Sequence, residues 1–250
     1  MSDRELPLEV SSDGLQLAAG ANVPVAPVRL IVLLHGIPSV NPPDPGDAGY
    51  PDLARRFAAS GWAAVWADMR ARGSSPGHFS IEGWVRDVGA IVGAARALEG
   101  VEGRPVVVLG SSAGGAVAVE AVARGLSVDG LVLLAAPAVW VSFAADAAEG
   151  VRVITEEAGM VLAPEVLRDP ARWAAEFDAV IPEKAAAHAE VPLLIVHGTL
   201  DDVVPIAHAY RIAEAAPAAD LMVIEGAPHQ LRRHPGVFEL VLEWLSKSVL

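Results

Sequence analysis

Gly110-Ser111-Ser112-Ala113-Gly114 closes the apolar run Val106 to Leu109 and leads into an Ala/Val-rich stretch. This order, apolar strand, tight turn of small residues, helix, is what a Gly-x-Ser-x-Gly nucleophile elbow requires. Gly110, Ala113 and Gly114 let strand and helix approach closely, and the turn lifts one hydroxyl out of the sheet. In this register the serine is Ser112; for Ser111 the flanking positions are Leu109 and Ala113. The chemistry is nucleophilic attack on a carbonyl carbon, which needs a base within hydrogen-bond reach and an acid to orient that base. The motif alone is weak. With 23 glycines in 250 residues it arises by chance in about one such chain in ten, so its context must carry the reading. A glycine-rich strand-to-helix turn or an anion-binding helix N-terminus is the plainer alternative.

The elements around the elbow supply that context. Arg29 to Gly36, Trp62 to Met69, Val128 to Ala136 and Pro192 to His197 are apolar runs without alternation, the pattern of parallel strands buried on both faces. Helical spacing joins them at Tyr50–Ser60, from a Ser80 N-cap to about Leu98, from Ala113 to about Arg124, and at Ile206–Ala215 and Val237–Val249. Leu221 to Glu225 reads as another strand. Leu6 to Val10 and Leu15 to Ala19 flank Ser11-Ser12-Asp13-Gly14 and predict a hairpin; Val23 to Val28 reads as a connector. Alternating strands and helices argue an α/β three-layer sandwich with a mostly parallel sheet. Residues 139–190 break the rhythm with three prolines, short helical patches and ten acids against four bases. They read as a small helical cap inserted between a core of residues 1–138 and 191–250.

In such sheets ligands sit beyond the carboxyl ends of the strands. Four strand ends carry polar residues: His35-Gly36, Gly110-Ser111-Ser112, His197-Gly198-Thr199-Leu200-Asp201-Asp202, and Gly226-Ala227-Pro228-His229. The chain resembles the α/β-hydrolase superfamily, in its serine esterase and serine aminopeptidase-like branch, over roughly residues 28–138 and 191–250. His35-Gly36-Ile37-Pro38 resembles the family's His-Gly oxyanion loop, and Asp68 to Ser75 its Asp-x-Arg-Gly-x-Gly-x-Ser loop, imperfectly. His197 to Pro205 resembles the Gly-x-x-Asp-x-x-Val-Pro acid loop, and Gly226 to His229 the Gly-x-x-His loop. The resemblance implies a triad of Ser112 as nucleophile, His229 as base and Asp201 as acid, with an oxyanion hole of the Ile37 and Ala113 backbone N–H groups. Asp202 is the alternative acid and His234, at the start of the last helix, the alternative base; Asp201 alone fits Asp-x-x-Val-Pro. His35 and His197 read as loop braces, His78 as a surface residue, and His188 and His208 as structural or exposed. Trp140, Phe143, Trp173 and Phe177 either wall a pocket or dock the cap.

The resemblance implies a serine hydrolase of small carboxylic esters. A thioesterase, amidase, peptidase or perhydrolase would use the same triad, and a non-catalytic binding protein is the reading of another class. A serine at the elbow argues against the aspartate-dependent dehalogenases and epoxide hydrolases. Composition narrows the partners. A net charge of −13 without a basic cluster excludes nucleic acid. The absence of cysteine excludes disulfides, thiolate zinc sites and a cysteine nucleophile. No cofactor or metal is expected, since no histidine pair has ligand spacing. The polar N-terminus has no apolar signal region, and the run Leu131 to Ala145 is too short for a membrane span, so a soluble, cytoplasmic protein with a small-molecule ester or acyl substrate is expected. Oligomeric state stays open.

Overall fold

A computed structural model describes residues 4–38, 47–140 and 146–249. Ten strands are present among them: β1 (Arg4–Pro7), β2 (Val10–Ser12), β3 (Leu15–Leu17), β4 (Ala19–Val23), β5 (Arg29–Leu34), β6 (Trp62–Ala67), β7 (Val106–Ser111), β8 (Gly130–Leu134), β9 (Leu193–Gly198) and β10 (Asp220–Ile224). Eight of them form one sheet in the order β1-β4-β6-β5-β7-β8-β9-β10. From β6 to β10 the pairs are parallel; β1–β4 and β4–β6 are antiparallel.

The non-alternating strands are buried on both faces, as their sequences require. Leu30, Val32 and Leu34 of β5, Val106 and Val108 of β7, and Leu193 and Ile195 of β9 point into one apolar cluster. Ile31 and Leu33, Val107 and Leu109, and Leu194 and Val196 point into a second on the opposite face. Helices α1 (Gly49–Ala59) and α9 (Val237–Ser248) cover the second through Leu53, Phe57, Val241 and Leu245. Helices α2 (Ile81–Arg96), α3 (Ala113–Ala123) and α8 (Ala207–Ala215) cover the first through Trp84, Val88, Val117 and Ile212. The result is a three-layer α/β sandwich. Ser80 caps α2 as its residue type predicts, accepting from the Gly83 N–H at 3.0 Å.

The N-terminal hairpin is displaced from its predicted place. Only β2 and β3 pair as a hairpin, Val10 with Leu17 and Ser12 with Leu15. β1 instead joins the main sheet beside β4, a strand the sequence reading passed over. Ala19-Gly20-Ala21-Asn22-Val23 has small residues where a strand usually shows branched ones. At Gly20 crowding explains this: a Cβ there would lie 2.9 Å from the Trp66 indole of β6.

Between β8 and β9 lie α4 (Ala147–Arg152), which runs on as a π-helical turn to Glu157, then α5 (Pro164–Arg168), α6 (Pro170–Ala179) and α7 (Pro182–Ala186). α6 contacts α2, and α7 contacts α3 and α8. Trp173 and Phe177 of α6 are buried against Phe79 and Trp140, with ring centroids 5.0–6.4 Å apart. Trp140, Trp173 and Phe177 thus share one aromatic cluster with Phe79; Phe143 lies outside the described residues. No helix among the described residues is long and apolar enough to cross a membrane.

Candidate active site

Ser112 sits at the turn between β7 and α3 with φ 51° and ψ −124°, in backbone space that a side chain strains to occupy. Ser111 is still in the sheet, paired with Leu134 of β8. The glycines serve close approach. A Cβ on Gly110 would lie 2.5 Å from the Gly114 carbonyl, and one on Gly114 would overlap the His35 carbonyl oxygen. The loop after β5 is thus packed backbone to backbone against the elbow. Gly36 completes the contact, since a Cβ there would come within 2.8 Å of Ser112 Cβ. Ile37 follows directly in this loop, and Ala113 opens α3, where the first N–H groups of any helix lack an intrahelical acceptor.

His35 braces this loop from within. The Met69 N–H donates to His35 Nε2 at 2.9 Å, so Nδ1 carries the hydrogen and donates to the Gly36 carbonyl at 2.8 Å. Burial, then the nearby Arg72 charge, holds the His35 pKa well below its ordinary value. The ring stands edge-on to Trp84 at 5.1 Å. The next loop is tied down by the buried Arg70, which pairs with the buried Asp87 at 2.7 Å and the exposed Asp13 at 2.8 Å and whose carbonyl accepts the Trp84 indole N–H.

Asp201 and His229 meet across two further strand ends. Asp201 follows β9, His229 follows β10, and His229 Nδ1 lies 2.7 Å from Asp201 Oδ2. Two hydrogen bonds hold the loops together: the Leu200 N–H donates to the Ala227 carbonyl at 3.0 Å, and the Gly226 N–H to Thr199 Oγ1 at 2.8 Å. The Asp201 side chain is fully buried while that of His229 is 18% exposed, so the carboxylate is hidden and the imidazole keeps an open side. Oδ1 accepts the Val203 and Val204 N–H groups at 3.0 and 2.8 Å. Burial pushes the Asp201 pKa up, but hydrogen bonds from His197, His229 and Val204 outweigh it and hold the carboxyl far below the usual range. Among the described residues no hydrogen bond links the Ser112 hydroxyl to His229. Such bonds are often long in unliganded sites and shorten when substrate binds.

The alternatives are placed elsewhere. Asp202 is exposed. His234 does not start the last helix but ends a 3-10 turn, Leu231–Arg233, three residues before it. His78 and His188 are exposed, and His208 accepts the Ala138 N–H at 3.0 Å. Among the described residues no three His, Asp or Glu side chains converge as metal ligands would. A groove of about 260 Å³ lined by Glu120, Arg124, Lys184 and His188 holds none of the strand-end residues. The sequence presents His197 only as a brace and gives Gly36 no contact with Ser112; the approach of His35 and Gly36 to the elbow joins loops far apart in the chain and has no local signature.

A family model described as serine aminopeptidase, S33, matches residues 26–167. Solved structures share the fold over nearly the whole chain. Est1E of Butyrivibrio proteoclasticus with ferulic acid bound has a TM-score of 0.71 at 21% identity, covering 96% of this chain and 100% of its own. An esterase of Pyrococcus furiosus has a TM-score of 0.71 at 17% identity, covering 100% and 92%. DcsB in complex with its substrate analogue has a TM-score of 0.76 at 17% identity, covering 99% of each chain.

Proposed function

From the premise that the chain belongs to the serine aminopeptidase S33 family and is a hydrolase of the α/β-hydrolase superfamily, we propose that it cleaves small carboxylic esters through an acyl-enzyme on Ser112. The observation that carries this reading is the pairing of a strained serine at the elbow with a buried carboxylate holding a half-open imidazole 2.7 Å away at the same sheet edge. Ser112 Oγ attacks the ester carbonyl as His229 Nε2 takes its proton. The carbonyl oxygen becomes an oxyanion met by the Ala113 and Ile37 N–H groups, a device in which losing one donor lowers kcat by about 100- to 1,000-fold. Asp201 keeps the His229 hydrogen on Nδ1 and stabilises the imidazolium. His229 then gives its proton to the leaving alkoxide. Water, deprotonated by His229, releases the acid and regenerates Ser112. Helices α4 to α7 serve as a cap that shapes the acyl or alcohol side of this site.

The ester is favoured by its neighbours in structure, an esterase and a protein holding the carboxylic acid ferulate. The family description favours one second reading, cleavage of an amide after an N-terminal aminoacyl group. Intact mass after fluorophosphonate treatment tests the nucleophile: one adduct on the wild type and none on Ser112→Ala is expected. An adduct surviving in the variant removes Ser112 from the mechanism, and no adduct on either protein favours a binding module. Rates on p-nitrophenyl esters against aminoacyl p-nitroanilides then decide the bond.

A further inference from the structure

We propose that His197 is a positioning residue of this site: its Nε2–H clamps the acid loop onto β9 and holds the Asp201 carboxylate in the orientation that serves His229. This rests on the hydrolytic reading of Ser112, Asp201 and His229. His197 Nε2 lies 2.7 Å from the Val204 carbonyl oxygen and 3.2 Å from Asp201 Oδ2. Both neighbours are acceptors, so this nitrogen carries the hydrogen. The carbonyl takes the shorter bond. Val204 in turn donates its own N–H to Asp201 Oδ1 at 2.8 Å. One ring thus touches the carboxylate directly and fixes the residue that holds its other oxygen.

The place of His197 in the strand argues that this contact is why a histidine stands there. On β9 the side chains of Leu193 and Ile195, four and two residues earlier, face the apolar cluster under α8. His197 continues that row and is 0% exposed. An aliphatic residue would bury there without the penalty of a polar ring, since buried polar atoms need partners. Nδ1 of His197 has no hydrogen-bond partner among the described residues. The whole polar use of the ring is therefore spent on the acid loop. Asp201 Oδ2 consequently faces two imidazoles, the solvent-accessible His229 at 2.7 Å and the buried His197 at 3.2 Å. The first is free to exchange protons with a substrate. The second has no path to one.

His208 on α8 also lies within electrostatic reach of Asp201, and of Arg211 and Glu183. The test compares His197→Met, which fills the space without a donor, with His197→Gln, which places an N–H near the lost Nε2. The readout is kcat/KM for p-nitrophenyl acetate across pH 5–9. His197→Met is expected to lower the plateau by up to about 100-fold, the cost of misplacing a reacting group by about 1 Å. Its acid limb is expected at higher pH, because a carboxylate stripped of one donor stabilises protonated His229 more. His197→Gln restores both most of the way. An acid limb that stays put while the plateau falls, or a His197→Met protein as active as the wild type, overturns the proposal. If His197→Met does not fold, the histidine ring N–H protons of the ¹⁵N-labelled wild type are compared with those of Asp201→Asn. Movement of the His197 resonance supports the clamp, and no movement overturns it. A wild type that neither cleaves the ester nor accepts the fluorophosphonate sinks the hydrolytic reading instead, and the ring protons still report on the clamp.

Discussion

Ser112→Gly is expected to yield a more stable protein than Ser112→Ala, although both lack the nucleophile. At φ 51° and ψ −124° a residue with a Cβ sits in sparsely populated backbone space, at a cost of about 1–3 kcal/mol. Alanine keeps the Cβ and so keeps the strain. Glycine removes it but brings a more flexible unfolded chain, an opposing loss of about 0.4–1 kcal/mol. The hydroxyl itself contributes little, since it makes no cap hydrogen bond to α3. The central estimate of the difference is about 1.3 kcal/mol in favour of glycine. For a domain of this length each 1 kcal/mol moves the midpoint by about 2–4 °C, so Ser112→Gly should melt about 3–5 °C above Ser112→Ala. The assay is thermal unfolding of the three proteins by circular dichroism, with urea titration as a check that the slope m is unchanged. A glycine variant that melts at or below the alanine variant would refute the reasoning: the elbow would then be relaxed, and the positive φ no sign of an imposed geometry.

Asp87→Ala removes the buried partner of Arg70 and leaves that guanidinium with the more exposed Asp13. Breaking a buried pair from one side costs about 3–5 kcal/mol, which urea unfolding will read directly; a loss below about 1 kcal/mol would place the pair among those that add nothing. Asp201 has a folded pKa depressed below its unfolded value. Its stabilising contribution is therefore complete above about pH 4 and is lost as pH falls from there towards the folded pKa. Stability measured from pH 6 to pH 2 should fall more steeply in the wild type than in Asp201→Asn, and parallel curves would deny the linkage.

Much of the fold was legible because burial on both sheet faces leaves a direct trace in composition. Arg29–Leu34, Val106–Leu109 and Leu193–Val196 have apolar residues without alternation, and each is a central parallel strand. The elbow was legible for a related reason: glycine is demanded where backbones touch, and Gly110 and Gly114 stand at such contacts. β4 was not, because its central Gly20 answers to the Trp66 ring of another strand. The hairpin shifted for the same cause, since β1 pairs with β4 and leaves only three-residue strands to the turn.

The sequence by itself determined a parallel α/β sandwich, a serine at a strand-to-helix turn, and a set of polar residues at strand ends. These follow from local rules of burial, spacing and turn chemistry. Only the tertiary structure decided that Asp201 is buried against His229 while Asp202 faces solvent, that Gly36 lies against Ser112, that His234 stands before the last helix, and that His197 shares the Asp201 carboxylate. Adjacent acids look alike along a chain. They differ once β9 and β10 lie side by side and one carboxylate, but not its neighbour, is turned toward the donors that can hold it.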